Sequence, residues 1–135
     1  MKGHYFWSII TKAKSVGDYR KLLAYQKAFA FAMKIYKISK KFPAEEKYGL
    51  TSQIRRSSRS VCANIVEGCK RRRYKNYYIA KLNDSETENA EAQVWLEFAY
   101  ACHYITSEEY LELTSENDEV AKLVLHMINN PEKFI

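Results

Sequence analysis

Between residues 19 and 41, apolar side chains recur in two rows at helical spacing: Leu22, Tyr25, Phe29, Met33 and Tyr36 in one, Phe31, Ile35, Ile38 and Phe42 in the other. A 3.6-residue period predicts an α-helix, and two rows cover a wider arc than one seam needs, so this helix should be buried on two sides. Pro43 ends it, because proline lacks an amide donor and disfavours helix at the residue before it. A second helix is predicted over residues 44–67, with Leu50, Ile54, Val61 and Ile65 inward. Ser57, Ser58 and Ala63 would let a neighbouring helix approach closely, and Gly68 would sit just past the C-terminus. A third helix is predicted over residues 74–104, placing Leu82, Leu96 and Phe98 among many polar residues, with Phe98 read as core or interface. Asp84, Glu86, Glu88, Asn89 and Glu91 make its middle too polar for an ordinary core helix. Thr106 and Glu109 have capping-box spacing at the start of a fourth helix that carries Leu113, Val120, Val124 and Met127. Asn129, Asn130 and Pro131 stop it.

Short connections between consecutive long helices favour antiparallel neighbours. The expected fold is therefore all-α, an up-down-up-down antiparallel four-helix bundle over residues 19–135 with an N-terminal arm over residues 1–18. In the arm, Phe6, Trp7, Ile9 and Ile10 need a surface to pack on. Its apolar cluster is too short to span a membrane and no small-residue cleavage site follows it, so it reads as neither anchor nor signal peptide. Composition points the same way: 47% apolar residues in a chain of 135 suffice for one core, while four Gly and two Pro are few for strands joined by tight turns. Cys62, Cys69 and Cys102 form an odd set without a CxxC pair, which suits a reducing cytoplasm rather than a disulfide scaffold.

The net charge of +6 conceals a sharper division: residues 1–80 hold 19 Lys/Arg against 4 Asp/Glu, and residues 81–135 hold 3 against 12. Such a split either presents a basic face to a polyanion or lets the halves neutralise each other, within the fold or between subunits.

Catalytic equipment is sparse. His4, His103 and His126 lie on different segments, and Cys102 and His103 diverge by roughly 100° on a helix. Glu88 and Glu91 share a helix face, but neither is followed by the histidine that bundle metal sites place three residues on. There is no GxxxxGK[ST], GxGxxG or HExxH run. Neither an enzyme nor a cofactor is expected. The richest constellation is Arg55, Arg56, Arg59, Lys70, Arg71, Arg72, Arg73 and Lys75, interleaved with Tyr74, Tyr77 and Tyr78. Guanidinium groups fork onto phosphates and tyrosine rings stack on unpaired bases, a pattern that points to RNA or single-strand binding. The competing account pairs Arg55, Arg56 and Arg59 with Glu86, Glu88 and Glu91, and leaves residues 70–73 as a solvated loop. Asn64 and Glu67, near the end of the second helix, are expected to hold structure by binding backbone amides or a neighbouring cation.

One ordered series of motifs goes further: Leu22-x-x-Tyr25-Gln26-Lys27-Ala28, Phe42-Pro43-x-x-Glu46-x-Tyr48-Gly49-Leu50, Gln53-Ile54-Arg55-Arg56-Ser57 and Asn64-Ile65-Val66-Glu67-Gly68. Over residues 19–128 it resembles the 23S rRNA intervening-sequence proteins, a bacterial family named for reading frames inside large-subunit ribosomal RNA genes. Glu91, Tyr104 and Ile105 also fall where that family has them. The resemblance implies a closed four-helix bundle, a ring-like homopentamer and a basic surface. It also implies kinship to the accessory proteins of diversity-generating retroelements, which bind nucleic acid and a reverse transcriptase. Arg55, Arg56 and Arg59, and the ending over residues 64–68, carry over by position, and none is catalytic. Two features depart from the family: Thr87 and Glu88 stand where it has a Gly-Ser pair, and the arm is longer. The implied function is that of a non-enzymatic, oligomeric accessory protein for RNA, DNA or a nucleoprotein, with a purely structural self-assembling bundle as the alternative.

Overall fold

Buried positions advance in steps of four and three along every long helix of the computed structural model, which describes residues 3–12 and 18–134. The described residues form five α-helices, with short 3-10 turns before α2, before α3 and after α5, and no strand: α1 Gly3–Ile10, α2 Leu23–Ser39, α3 Leu50–Lys70, α4 Lys75–Ala101 and α5 Ser107–Asn129. In α4 the buried series is Tyr78, Leu82, Ser85, Asn89, Ala92, Leu96 and Ala99, and in α5 it is Leu113, Asn117, Val120, Val124 and Met127. Ala24, Ala28, Phe31 and Ile35 do the same for α2, as do Leu50, Ile54, Ser57, Val61 and Ile65 for α3. Such spacing keeps one narrow seam of each helix turned toward its neighbours over many turns.

Contacts between helices close a cycle: α2 packs on α3 and α5, and α4 packs on the same two. Along α2 and α5 the partners descend as the chain number rises, from Lys27 with Glu119 to Lys41 with Glu109. The same reversal relates α3 to α4, where Arg56 meets Glu88 and Glu67 meets Lys81. It also relates α4 to α5, where Asn89 meets Asn117 and Gln93 meets Thr114.

Several boundaries differ from the sequence expectation, each for a local reason. The first helix begins at Leu23 rather than Tyr19, because Asp18 caps a separate 3-10 turn over Tyr19–Lys21 and Leu22 is extended. The second begins at Leu50, not Ala44: Ala44–Glu46 is a 3-10 turn, and the Glu46 carboxylate reaches the free Leu50 amide at 3.1 Å. Gly68 does not follow α3 but lies inside it, buried where a Cβ would meet the Tyr78 carbonyl at 3.3 Å. Its role is close helix approach, not termination. Ala63, expected in that role, faces solvent. The third helix spans 75–101, and Phe98 is 53% exposed. His103 takes a left-handed φ of 63° behind it, and the Tyr104 amide closes the turn on the Ala99 carbonyl at 2.9 Å. The Thr106–Glu109 capping box forms as expected at the start of α5.

The two apolar rows of α2 separate by depth. Phe31 and Ile35 are buried, whereas Tyr25 and Phe29 are half-buried and receive α1, whose Phe6 and Trp7 rings lie 5.3 and 5.5 Å from the Phe29 ring. Residues 13–17, within the expected arm, lie outside the described residues.

The polar middle of α4 has a physical explanation. The Ser85 hydroxyl donates to the Val61 carbonyl of α3 at 2.9 Å. Asn89 donates to the Asn117 carbonyl at 2.9 Å, and Asn117 returns bonds to the Asn89 carbonyl and side-chain oxygen at 2.8 and 3.1 Å. Buried amides are costly only when unpaired, so this reciprocal clasp sits in the core and fixes the register of α4 against α5. Removing one member strands the other. Asn117→Ala is expected to lower the unfolding free energy by about 1–3 kcal/mol in urea melts. The matching substitution Asn83→Ala, on the exposed side of α4, should change it by less than about 0.5 kcal/mol.

Candidate functional site

Part of the charge division of the sequence is neutralised along the seam between α2 and α5. Lys27 and Lys34 on α2 and Lys41 just past its end recur every seventh residue and meet α5 carboxylates: Glu119 at 3.3 Å, Glu116 at 2.6 Å and Glu112 at 3.3 Å, and Glu109 at 2.7 Å. These pairs are solvent-exposed, so each contributes no more than about 1 kcal/mol. Their larger effect is on where charge remains. The Lys41 ammonium, helped by the Thr106 amide, holds the Glu109 carboxyl below its ordinary range.

On α3 the three arginines separate. Arg56 turns to α4, where its guanidinium meets Glu88 at 3.1 Å and forms a very short contact with Glu91. The bond to Glu91, more than any other influence, raises its pKa. Arg55 and Arg59 turn the other way, toward α2. The Arg55 Nε donates to the Ser39 hydroxyl at 2.7 Å, and the Arg55 and Arg59 guanidinium carbons lie 4.9 and 5.7 Å from the centre of the Tyr36 ring. The expected pairing with helix-three carboxylates therefore holds for Arg56 alone. Among the described residues, no carboxylate lies within ion-pair distance of Arg55 or Arg59. Both border an open groove of about 660 Å³, walled also by Lys47, Tyr48, Thr51 and Arg56.

The residue 70–75 tract is divided as well. Lys70 ends α3 with its ammonium 5.8 Å from the Tyr19 ring, and Arg72 donates to the Cys69 carbonyl at 3.4 Å. Arg71 covers the Tyr77 ring at 5.3 Å, Arg73 covers the Tyr74 ring at 5.2 Å, and Lys75 opens α4 in solvent. Tyr78 is not available to a ligand. It is fully buried, its hydroxyl has no hydrogen-bond partner, and burial raises its pKa. Asn64 is half-buried, while Glu67 is exposed and pairs with Lys81 at 2.8 Å.

Sequence reasoning missed Lys47, Tyr48 and Tyr36. A usable signal existed in the four-residue steps from Lys47 through Thr51 and Arg55 to Arg59, which set one outward stripe of a helix and the turn before it. Elsewhere, among the described residues, no group of three or more His, Cys, Asp or Glu side chains comes together in a way that could hold a metal ion. No helix among them is long and apolar enough to cross a membrane. Burial pushes the Cys62 thiol up to about 12, while Cys102 is exposed.

Comparison with known proteins places this geometry. The family described as 23S rRNA-intervening sequence protein matches residues 20–126. A crystal structure of a protein with unknown function, from the S23 ribosomal protein family of Bacteroides thetaiotaomicron, aligns with a TM-score of 0.72 and 31% sequence identity, covering 79% of this chain and 96% of its own. No curated protein matches the chain.

The lowered Glu109 carboxyl has a directional consequence. A group whose folded pKa is depressed stabilises the fold above its unfolded pKa, and that contribution fades as pH falls through the folded value. Glu109→Gln should therefore melt below the parent at about pH 7, and the gap in melting temperature should close as pH falls through the lowered folded pKa and the carboxylate becomes protonated in both states.

Proposed function

The chain belongs to the 23S rRNA-intervening sequence protein family, and from that footing we propose that it is a non-enzymatic, cytoplasmic, oligomeric accessory protein that holds a nucleic acid or nucleoprotein. In this reading the four long helices form an up-down-up-down antiparallel bundle, residues 1–18 form an arm beside it, and copies assemble into a homopentamer. A reverse transcriptase is the nucleoprotein partner it would serve.

The supporting observation is the unequal fate of the cations. Lys27, Lys34, Lys41 and Arg56 are matched by carboxylates, whereas Arg55 and Arg59 face a tyrosine ring, a hydroxyl and a backbone carbonyl beside an open groove. Uncompensated guanidinium groups suit the forked geometry of phosphate oxygens. Arg71, Arg73 and Lys75 extend the cationic surface past the end of α3, with Lys70 and Arg72 as its inner edge.

A second reading has its own support. Leu111 is 66% exposed beside exposed Glu108 and Glu112, so α5 offers an acidic, partly apolar surface that another copy's arginines would fit. There the chain is a structural assembly without a nucleic-acid ligand.

One variant separates the two. Arg55→Glu combined with Arg59→Glu leaves the Arg56 pairs intact. On the leading reading the oligomer persists in analytical ultracentrifugation, while affinity for a mixed-sequence oligonucleotide collapses. The parent's affinity falls steeply with salt, and neutralising the two arginines as glutamines lowers that log-log slope by roughly 1.4–1.8. Dissociation of the oligomer with nucleic-acid binding absent in the parent would establish the structural reading instead.

A further inference from the structure

Tyr48 is the most exposed large hydrophobic side chain among the described residues, 87% open to solvent in the turn that leads into α3. An aromatic ring in that position gains almost nothing from its own fold. It is not isolated, however: it walls the same groove as Arg55 and Arg59, and the Lys47 ammonium lies 5.4 Å from its ring centre. An exposed aromatic face beside cations that lack carboxylate partners is the pairing that single strands require. Phosphates engage the charge while an unpaired base stacks on the ring. A duplex keeps its bases paired and stacked and would use the arginines only.

Resting on the nucleic-acid reading above, we infer that the groove recognises a single-stranded segment, with Tyr48 as the platform for an unpaired base and Arg55 and Arg59 as its phosphate clamp. The clamp is already oriented. Stacking on Tyr36 and the bond to Ser39 restrict the rotamers of two long side chains, which reduces the ordering entropy that binding has to overcome. Arg56 contributes less, because Glu88 and Glu91 occupy its donors. The chemistry repeats past the far end of α3, where Tyr74 and Tyr77 are 53% and 40% exposed under Arg73 and Arg71. With 21 residues, α3 separates the two stations by roughly 31 Å at 1.5 Å per residue. A strand lying along it would meet aromatic and guanidinium groups at both ends.

The test is fluorescence anisotropy of labelled oligonucleotides of about 15 nucleotides, as single-stranded RNA, single-stranded DNA and duplex DNA, with the full chain and with Tyr48→Ala, Tyr48→Trp and Tyr74→Ala. Tyr48 is so exposed that its removal should leave the circular dichroism melt unchanged. Single strands should bind more tightly than duplex, and Tyr48→Ala should weaken them about 5- to 150-fold while leaving duplex affinity and the salt slope as they were. Tyr48→Trp should restore or improve binding, and Tyr74→Ala should weaken it by a smaller factor. Preference for RNA over DNA would place a 2′-hydroxyl contact in the groove, and equal affinity would leave stacking and phosphates as the whole recognition. Salt-sensitive binding that favours duplex, or that ignores Tyr48→Ala, overturns this inference alone. Absence of binding to all three probes overturns it together with the nucleic-acid reading.

Discussion

The inward positions of α3 determine everything its outward face can do. Ile54, Val61 and Ile65 must be buried against α2 and α4, and on a helix that requirement turns Arg55, Arg56 and Arg59 toward the edges and solvent. Because the buried steps alternate between four and three, the same face stays outward for the full length of the helix. Gly68 eases the close approach at its end, where a Cβ would crowd the Tyr78 carbonyl at 3.3 Å. The position of the cations is thus a by-product of how the apolar seam is spaced.

Charge pairing then selects among them. Lys27 and Lys34 on α2, Lys41 just past its end and the facing carboxylates of α5 share a heptad-like repeat, so part of the positive first half meets part of the negative second half along this seam. Arg56 is drawn into a similar arrangement on α4. Among the cations left without a carboxylate partner are Arg55 and Arg59 in the groove and Arg71, Arg73 and Lys75 beyond α3. Of these five, all but Lys75 lie over a tyrosine ring, which holds a guanidinium without neutralising it.

Much of the fold was legible in the sequence because it is written in apolar periodicity and in punctuation that acts locally. The inward residues of α3 and α5, the stop at Pro43 and the Thr106–Glu109 capping box are of that kind. The polar core of α4 was not, since Ser85 and Asn89 look like surface residues until their partners on α3 and α5 are known. Helix starts were obscured by 3-10 turns whose stabilising side chains, Asp18 and Glu46, act across a few residues in ways that apolar spacing does not register. The site was legible as a cationic cluster but not as a sorted one. Whether an arginine faces a carboxylate or a tyrosine depends on which neighbour lies on each side, and Tyr48 carries no signal in a pattern that counts aromatics as core.

Cations paired along α2 and α5 are, on this reading, withheld from a ligand, while those around α3 are offered to it. Lysine acetylation footprinting read by mass spectrometry, with and without a single-stranded oligonucleotide, tests that division most directly. The ligand is expected to protect Lys47 and Lys75 and to leave the labelling of Lys27, Lys34 and Lys41 unchanged; protection of those three with Lys47 and Lys75 unaffected would contradict it.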